Sequence, residues 1–188
     1  LDLLPTLIGM SGAPEPERRK AAAGLPGHDA SVALQPKMRK NVHAVRPGAL
    51  FNYVGPLTLD AGFTINNLTG GSGAYNLATL KPHLGKRGFL SFTYDGRYKF
   101  ARFYAPNGFN APKTLDELFA HNDVQLFDLK NDPDEMNNLA RDRVKNAATL
   151  GRMNALLNDL MAKEVGVNDG SFLPEVIRPA GVGALKRP

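Results

Sequence analysis

Residues Phe89 to Tyr94 and Arg97 to Tyr104 form two apolar-rich runs that flank Asp95-Gly96. That pair accepts the positive φ angles of a type I′ turn between antiparallel strands. A hairpin is therefore expected, with Tyr98 and Phe100 across from Thr93 and Ser91. Its other face would collect Leu90, Phe92, Tyr94, Ala101 and Phe103. With apolar mass on both faces, the ribbon has to be covered.

The downstream half of the chain is expected to supply the cover. Thr114 reads as an N-cap with Glu117 completing a capping box, which predicts a short helix at Thr114 to Ala120. Val124 to Leu129 then reads as a strand able to join the hairpin. Asp132-Pro133-Asp134-Glu135 has a cap residue, proline at the first helical position and early carboxylates, so a second helix start is expected there. Leu150, Met153, Leu157, Leu160 and Met161 fall on one helical stripe, opposite Lys145, Arg152, Asp159 and Lys163. The spacing predicts a long amphipathic helix near Val144 to Val165, ending close to Gly166 and packed on the sheet that holds Phe92 and Phe100. The fold class expected is α+β, an antiparallel sheet packed by a long C-terminal amphipathic helix.

Upstream, Asp2-Leu3-Leu4-Pro5-Thr6 with Leu7, Ile8 and Met10 predicts a short helix with proline in its first turn and Gly12 near its end. The sequence opens inside this helix start, which reads as the beginning of a fragment. Ala13 to Lys40 is rich in Pro, Ala, Gly and charge and reads as a surface linker without regular structure. Val45 to Leu59 allows a strand, whereas Asn66 to Gly73 reads as a loop. Asn67-Leu68-Thr69 matches a glycosylation sequon and reads as incidental. Phe172 to Pro188 reads as an extended tail.

Composition narrows the function classes. The 188 residues contain no cysteine, which excludes disulfides, thiolate metal sites and a cysteine nucleophile within them. Lys and Arg exceed Asp and Glu by 23 to 18, a formal charge of +5, and the cations are scattered in short groups, so no nucleic-acid partner is expected. The cations Arg97, Lys99 and Arg102 among the aromatic residues read as snorkelling from an internal sheet. No apolar run approaches the roughly 20 residues of a membrane span, and no membrane partner is expected. His28, His43, His83 and His121 lack metal-ligand spacing. Asp128, Asp132, Asp134 and Glu135 lack the glycine and the full ligand set of a calcium loop. They read as a strand end and a helix cap, and no metal ligand is assigned.

Two segments carry a resemblance: Asp95-Gly96-Arg97-Tyr98-Lys99-Phe100, and Leu126-Phe127-Asp128-Leu129 through Asp132-Pro133-Asp134-Glu135 to Asn138-Leu139-Ala140. This succession resembles the C-terminal signature of formylglycine-type arylsulfatases, in the alkaline-phosphatase-like superfamily. Asp2-Leu3-Leu4-Pro5-Thr6, Gly12 and Leu25-Pro26-Gly27 are similar, in order, to segments that precede it in that family. The resemblance implies the C-terminal subdomain of an α/β sulfatase. Residues 1–42 would end the catalytic α/β domain and its linker, 43–87 would be an irregular segment, 88–166 the sheet-plus-helix subdomain and 167–188 a tail.

The same resemblance implies a parent enzyme that uses calcium and a formylglycine residue to hydrolyse sulfuric esters. The family places these groups before the Asp-Leu-x-Pro-Thr segment. No catalytic residue is expected here, since no serine is followed by x-Pro-x-Arg, and no bound cofactor is expected. His43, His83, Lys86 and Arg87 are the candidate rim of the parent's anionic substrate pocket. The expected partners are an N-terminal catalytic sulfatase domain and, through it, a sulfate-ester substrate, with a homo-oligomer as a further expectation from the apolar first helix. Export to the periplasm or beyond is what the family implies. A different reading of the same residues is a stand-alone binding or interaction module that keeps the fold without the chemistry.

Overall fold

The computed structural model describes residues 2–38, 41, 43–53, 85–105, 108–171 and 173. His83, the sequon at Asn67 and most of the tail lie outside the described residues. The chain forms two compact units, Leu1–Ala49 and Leu50–Pro188.

In the first unit, helix α1 (Leu3–Met10) buries Pro5 in its first turn. Asp2 ties the unit together. Its carboxylate accepts the His28 N–H at 2.8 Å and the Arg46 guanidinium, with Nη2 at 2.6 Å. These donors hold the Asp2 carboxyl well below the usual carboxylate range, with Arg46 the principal cause.

The stretch expected to be a linker contains helix α2 (Glu15–Ala22) and two 3-10 turns, Ser31–Leu34 and Pro36–Met38. Pro16 sits in the first turn of α2, where no intrahelical bond is lost. Glu15 and Glu17 lie at the N-terminal end and Arg19 and Lys20 at the C-terminal end, matching the helix dipole. Glu15 and Arg19 also form an i,i+4 ion pair. A composition rich in proline and alanine is thus compatible with a short helix once the proline falls at its start.

The second unit is α+β. Strands β1 (Ala49–Tyr53), β2 (Phe89–Tyr94), β3 (Tyr98–Tyr104) and β4 (Asp123–Asp128) form one four-stranded sheet in that order, with β2–β3 and β3–β4 antiparallel. Helix α3 (Leu115–His121) precedes β4, and helix α4 (Ala147–Glu164) closes the unit.

The hairpin forms two residues out of the expected register: Thr93 pairs with Phe100 and Ser91 with Arg102. Its loop is Gly96-Arg97, because the Asp95 N–H donates to the Tyr98 carbonyl at 3.2 Å. Gly96 has φ +95° and stands at the first central position, where a type II′ turn needs glycine. The Asp95 carboxylate prefers this arrangement because it accepts the N–H groups of Arg97 (2.9 Å) and Tyr98 (2.6 Å). A two-residue slip leaves every side chain on its expected face. Phe89, Ser91, Thr93, Phe100, Arg102 and Tyr104 are all buried.

On that face Leu150, Met153, Leu157 and Met161 of α4 close a core with Phe100, Leu118, Leu126 and Ala140. The expected stripe and sheet therefore meet, and Phe92, on the opposite face as alternation predicts, stacks on Phe51 at 4.9 Å. Arg152, Asp159 and Lys163 are exposed, as the pattern required. Helix α4 ends at the Val165 cap, and Gly166 takes up φ +91° directly after it.

Both halves of the α3 capping box are present: Thr114 Oγ1 accepts the Glu117 N–H at 3.2 Å, and Glu117 accepts the Thr114 N–H at 3.3 Å. Thr114→Ala is expected to lower stability by about 1 kcal/mol, read as a shift in urea midpoint at constant m. An unchanged midpoint would mean the cap adds nothing.

No helix begins at Asp132. The Asp132 carboxylate accepts the Met136 and Asn137 N–H groups at 3.0 and 2.8 Å, farther along the chain than a helix cap reaches. Glu135 stands at φ +56°, and only a 3-10 turn follows at Leu139–Arg141. Tertiary contacts override the local signal. Asn138 Oδ1 accepts the Leu126 N–H at 3.0 Å and its Nδ2 donates to the Val124 carbonyl at 3.1 Å. The segment is drawn along β4, where it satisfies backbone groups of the edge strand.

Candidate functional site

Arg87 lies just before β2 and is held from two sides. Its Nη1 donates to Asp123 Oδ1 at 2.6 Å, and its Nη2 donates to the Ala120 carbonyl at 3.0 Å. It borders a groove of about 460 Å³ that is also lined by Phe119, Asn122, Asn138, Arg141 and Arg143. The Arg143 guanidinium stands 3.8 Å from the Phe119 ring centroid, a cation–π contact that fixes its plane. Among the described residues neither Arg141 nor Arg143 has a carboxylate partner.

The guanidinium groups of Arg141 and Arg143, beside Arg87 and the Asp123 carboxylate that it grips, can bind and orient an oxyanion through paired N–H donors. The described lining offers no hydroxyl, thiol, imidazole or amine to act as a nucleophile. Arg141 and Arg143 are absent from the rim expected from the sequence. Their alternate spacing just after Asn138-Leu139 is visible there, but that they meet Arg87 depends on how the chain crosses β4.

The other expected rim residues within the described chain are Lys86 and His43. Lys86 is exposed next to Arg87. His43 is exposed in the first unit, where its backbone N–H donates to Asn41 Oδ1 at 3.1 Å.

Three members of the carboxylate cluster, Asp128, Asp132 and Glu135, are committed to structural contacts, and Asp134 is exposed. Arg97 grips Asp128 as a fork, Nε at 3.0 Å and Nη2 at 2.6 Å, and Asn131 Nδ2 adds a bond at 2.8 Å. Glu135 accepts both of its bonds from Lys99 Nζ at 2.8 Å. Among the described residues no three His, Cys, Asp or Glu side chains converge as a metal site would require. The described residues thus do not fit the calcium of the implied parent enzyme.

The Arg97 fork lowers the Asp128 carboxyl to about 2 from an ordinary value of 3.8, against the opposing effect of desolvation. A depressed acid contributes stability that is present above its unfolded value and lost as pH falls through its folded value. The stability gap between the wild-type chain and Asp128→Asn is therefore expected to be constant above about pH 5 and to shrink between about pH 4 and pH 2. Denaturant titrations at stepped pH read it directly. A gap that stays constant to pH 2 would contradict the assignment of this ion pair.

No protein-family model matches the chain, and no curated protein does. Solved structures that align with it include BT4656 in complex with its substrate D-glucosamine-2-N,6-O-disulfate, at 15% identity over 90% of this chain and 25% of that one, TM-score 0.49. A second is a protein named as a sulfatase from Bacteroides thetaiotaomicron, at 20% identity over 87% and 24%, TM-score 0.48. A third is yidJ from Bacteroides fragilis, at 21% identity over 87% and 24%, TM-score 0.49. Two of the three carry the name sulfatase. The chain spans about a quarter of the length of each.

Proposed function

We propose that this chain is the C-terminal part of a sulfuric ester hydrolase of the arylsulfatase type, completing the fold and the substrate cleft of a catalytic domain that its own residues do not supply. One observation carries the reading: the two segments that resemble the arylsulfatase signature are the two that interlock. Arg97 and Lys99 of the first hold Asp128 and Glu135 of the second. Residues that define the sequence pattern are thus explained together as one structural unit.

In this reading the formylglycine and calcium belong to the other domain, where they would supply the nucleophile and the Lewis acid. The residues of this chain bind and orient. Arg87, Arg141 and Arg143, with Lys86, hold the anionic end of an ester at the rim, and His43 and His83 are further rim candidates. A fixed guanidinium wall limits the poses available to the ester and so favours attack geometry.

The outer surface of α1 is consistent with a partner domain. Leu3, Leu4, Leu7 and Met10 are between 52% and 73% exposed, more apolar surface than one short helix of an isolated unit normally leaves in water. The same surface would favour self-association of the chain alone. The test is aryl sulfate turnover by the chain alone and together with a matching N-terminal segment carrying the matured nucleophile. A stand-alone binding module would show ligand binding and no recovery of turnover.

A further inference from the structure

Arg102 does not snorkel as the sequence suggested. It sits on the helix-facing side of β3 and is only 3% exposed. Its Nη1 donates to Asn154 Oδ1 at 2.9 Å and to Asn158 Oδ1 at 2.7 Å. Both asparagines, one turn apart on α4, donate their Nδ2 to the Pro112 carbonyl at 2.6 and 2.9 Å, which fixes their oxygens toward the guanidinium.

This clamp uses the two hydrogens of Nη1. Among the described residues Nε and Nη2 have no hydrogen bond, and the side chain has no ion pair. Burial pushes the group down to about 10, so it remains a cation at neutral pH. A buried cation without a counter-charge is costly, since neutral amides only partly replace its lost hydration.

The side chain borders a cavity of about 410 Å³, within the range of small-ligand pockets. Its walls are largely apolar, with Phe109, Ala111, Met161, Ala162 and Val167. The described lining includes one carboxylate, Asp169, which accepts the Ser171 N–H at 2.9 Å.

We propose that this cavity binds a small monoanion with an apolar body, an aryl or alkyl carboxylate or sulfate, whose oxyanion takes the free Nε and Nη2 donors of Arg102. The fork supplies a bidentate contact for two oxygens of either group. The apolar walls receive the hydrocarbon part, and the amide clamp keeps the fork in place without offsetting its charge.

Calorimetric titration of the 188-residue chain with benzoate, phenyl sulfate, benzyl alcohol and inorganic sulfate tests this without any turnover. Benzoate or phenyl sulfate is expected to saturate, and the tighter of the two names the oxyanion. Benzyl alcohol, which lacks the charge, is expected to bind at least about tenfold more weakly, and inorganic sulfate, which lacks the body, likewise. Arg102→Met is expected to weaken the anion at least about tenfold. Ala162→Trp, which fills the cavity from an exposed position and leaves the guanidinium in place, is expected to do the same while the melting midpoint holds. The proposal is overturned if neither anion saturates by about 10 mM, if benzyl alcohol binds as well as benzoate, or if a folded Ala162→Trp binds unchanged.

Discussion

Leu157→Ala is expected to lower the unfolding free energy by about 2–5 kcal/mol. Leu157 is fully buried and joins one core with Phe100, Leu126, Met153 and Met161. Truncation removes the transfer free energy of the lost methyl and methylene groups, about 1.5–3 kcal/mol for a fully buried leucine side chain. It also leaves a void that the neighbours cannot fill, because α4 is pinned on one side by Asn154 and Asn158 and the sheet opposite is held by its own ladder. Asp159, exposed two residues later, supplies the control: Asp159→Ala is expected within about 0.5 kcal/mol of the parent. Urea unfolding of both variants measures the pair. A loss below about 1 kcal/mol at Leu157 would mean that the stripe is not the centre of the core.

The legible parts of the fold are local or periodic in the sequence. The capping box of α3 needs only Thr114 and Glu117, three residues apart, and it forms as read. The stripe of α4 repeats over five positions and fixes which side is buried. The hairpin is half legible. Alternation assigns its faces, but Asp95-Gly96 is not the turn pair that its residue types suggest, since the Asp95 carboxylate caps the following N–H groups and moves the loop to Gly96-Arg97.

The illegible parts have a common cause, in that a distant partner or a single position decides the conformation. Asp132-Pro133 carries a sound helix-start signal, yet Asn138 hooked on β4 and Glu135 bonded to Lys99 draw the segment into an irregular path. Helix α2 hides in a stretch whose proline and alanine content resembles a linker, and only the placement of Pro16 in the first turn distinguishes the two.

The candidate site is less legible still. Arg87 stands out in the sequence, but Arg141 and Arg143 reach the same groove only through the crossing over β4. Arg102 exposes a conflict between two rules. Alternation places it on the core face with Phe100, while its charge argues for the surface. The fold satisfies alternation and supplies Asn154 and Asn158 to hold the charge. The recurrence of these asparagines one turn apart on the otherwise apolar side of α4 is the available signal.

Turnover of an aryl sulfate is expected to be absent with the purified chain and to appear when it is joined by a matching N-terminal segment with a matured nucleophile. The chain has no cysteine and no Ser-x-Pro-x-Arg motif, and the one carboxylate in the described lining of its arginine groove, Asp123, is held by Arg87. A covalent step cannot be supplied by binding groups. Positioning can be, and loss of substrate orientation costs on the order of a hundredfold in rate. The N-terminal segment alone should therefore turn over at least roughly a hundredfold more slowly than the pair. The most direct measurement is steady-state hydrolysis by the chain, by the N-terminal segment and by the two together, from preparations free of full-length enzyme. Recovery of turnover only in the combined sample is the predicted result, and hydrolysis by the 188-residue chain alone, or a combined rate no higher than that of the N-terminal segment, would contradict the account.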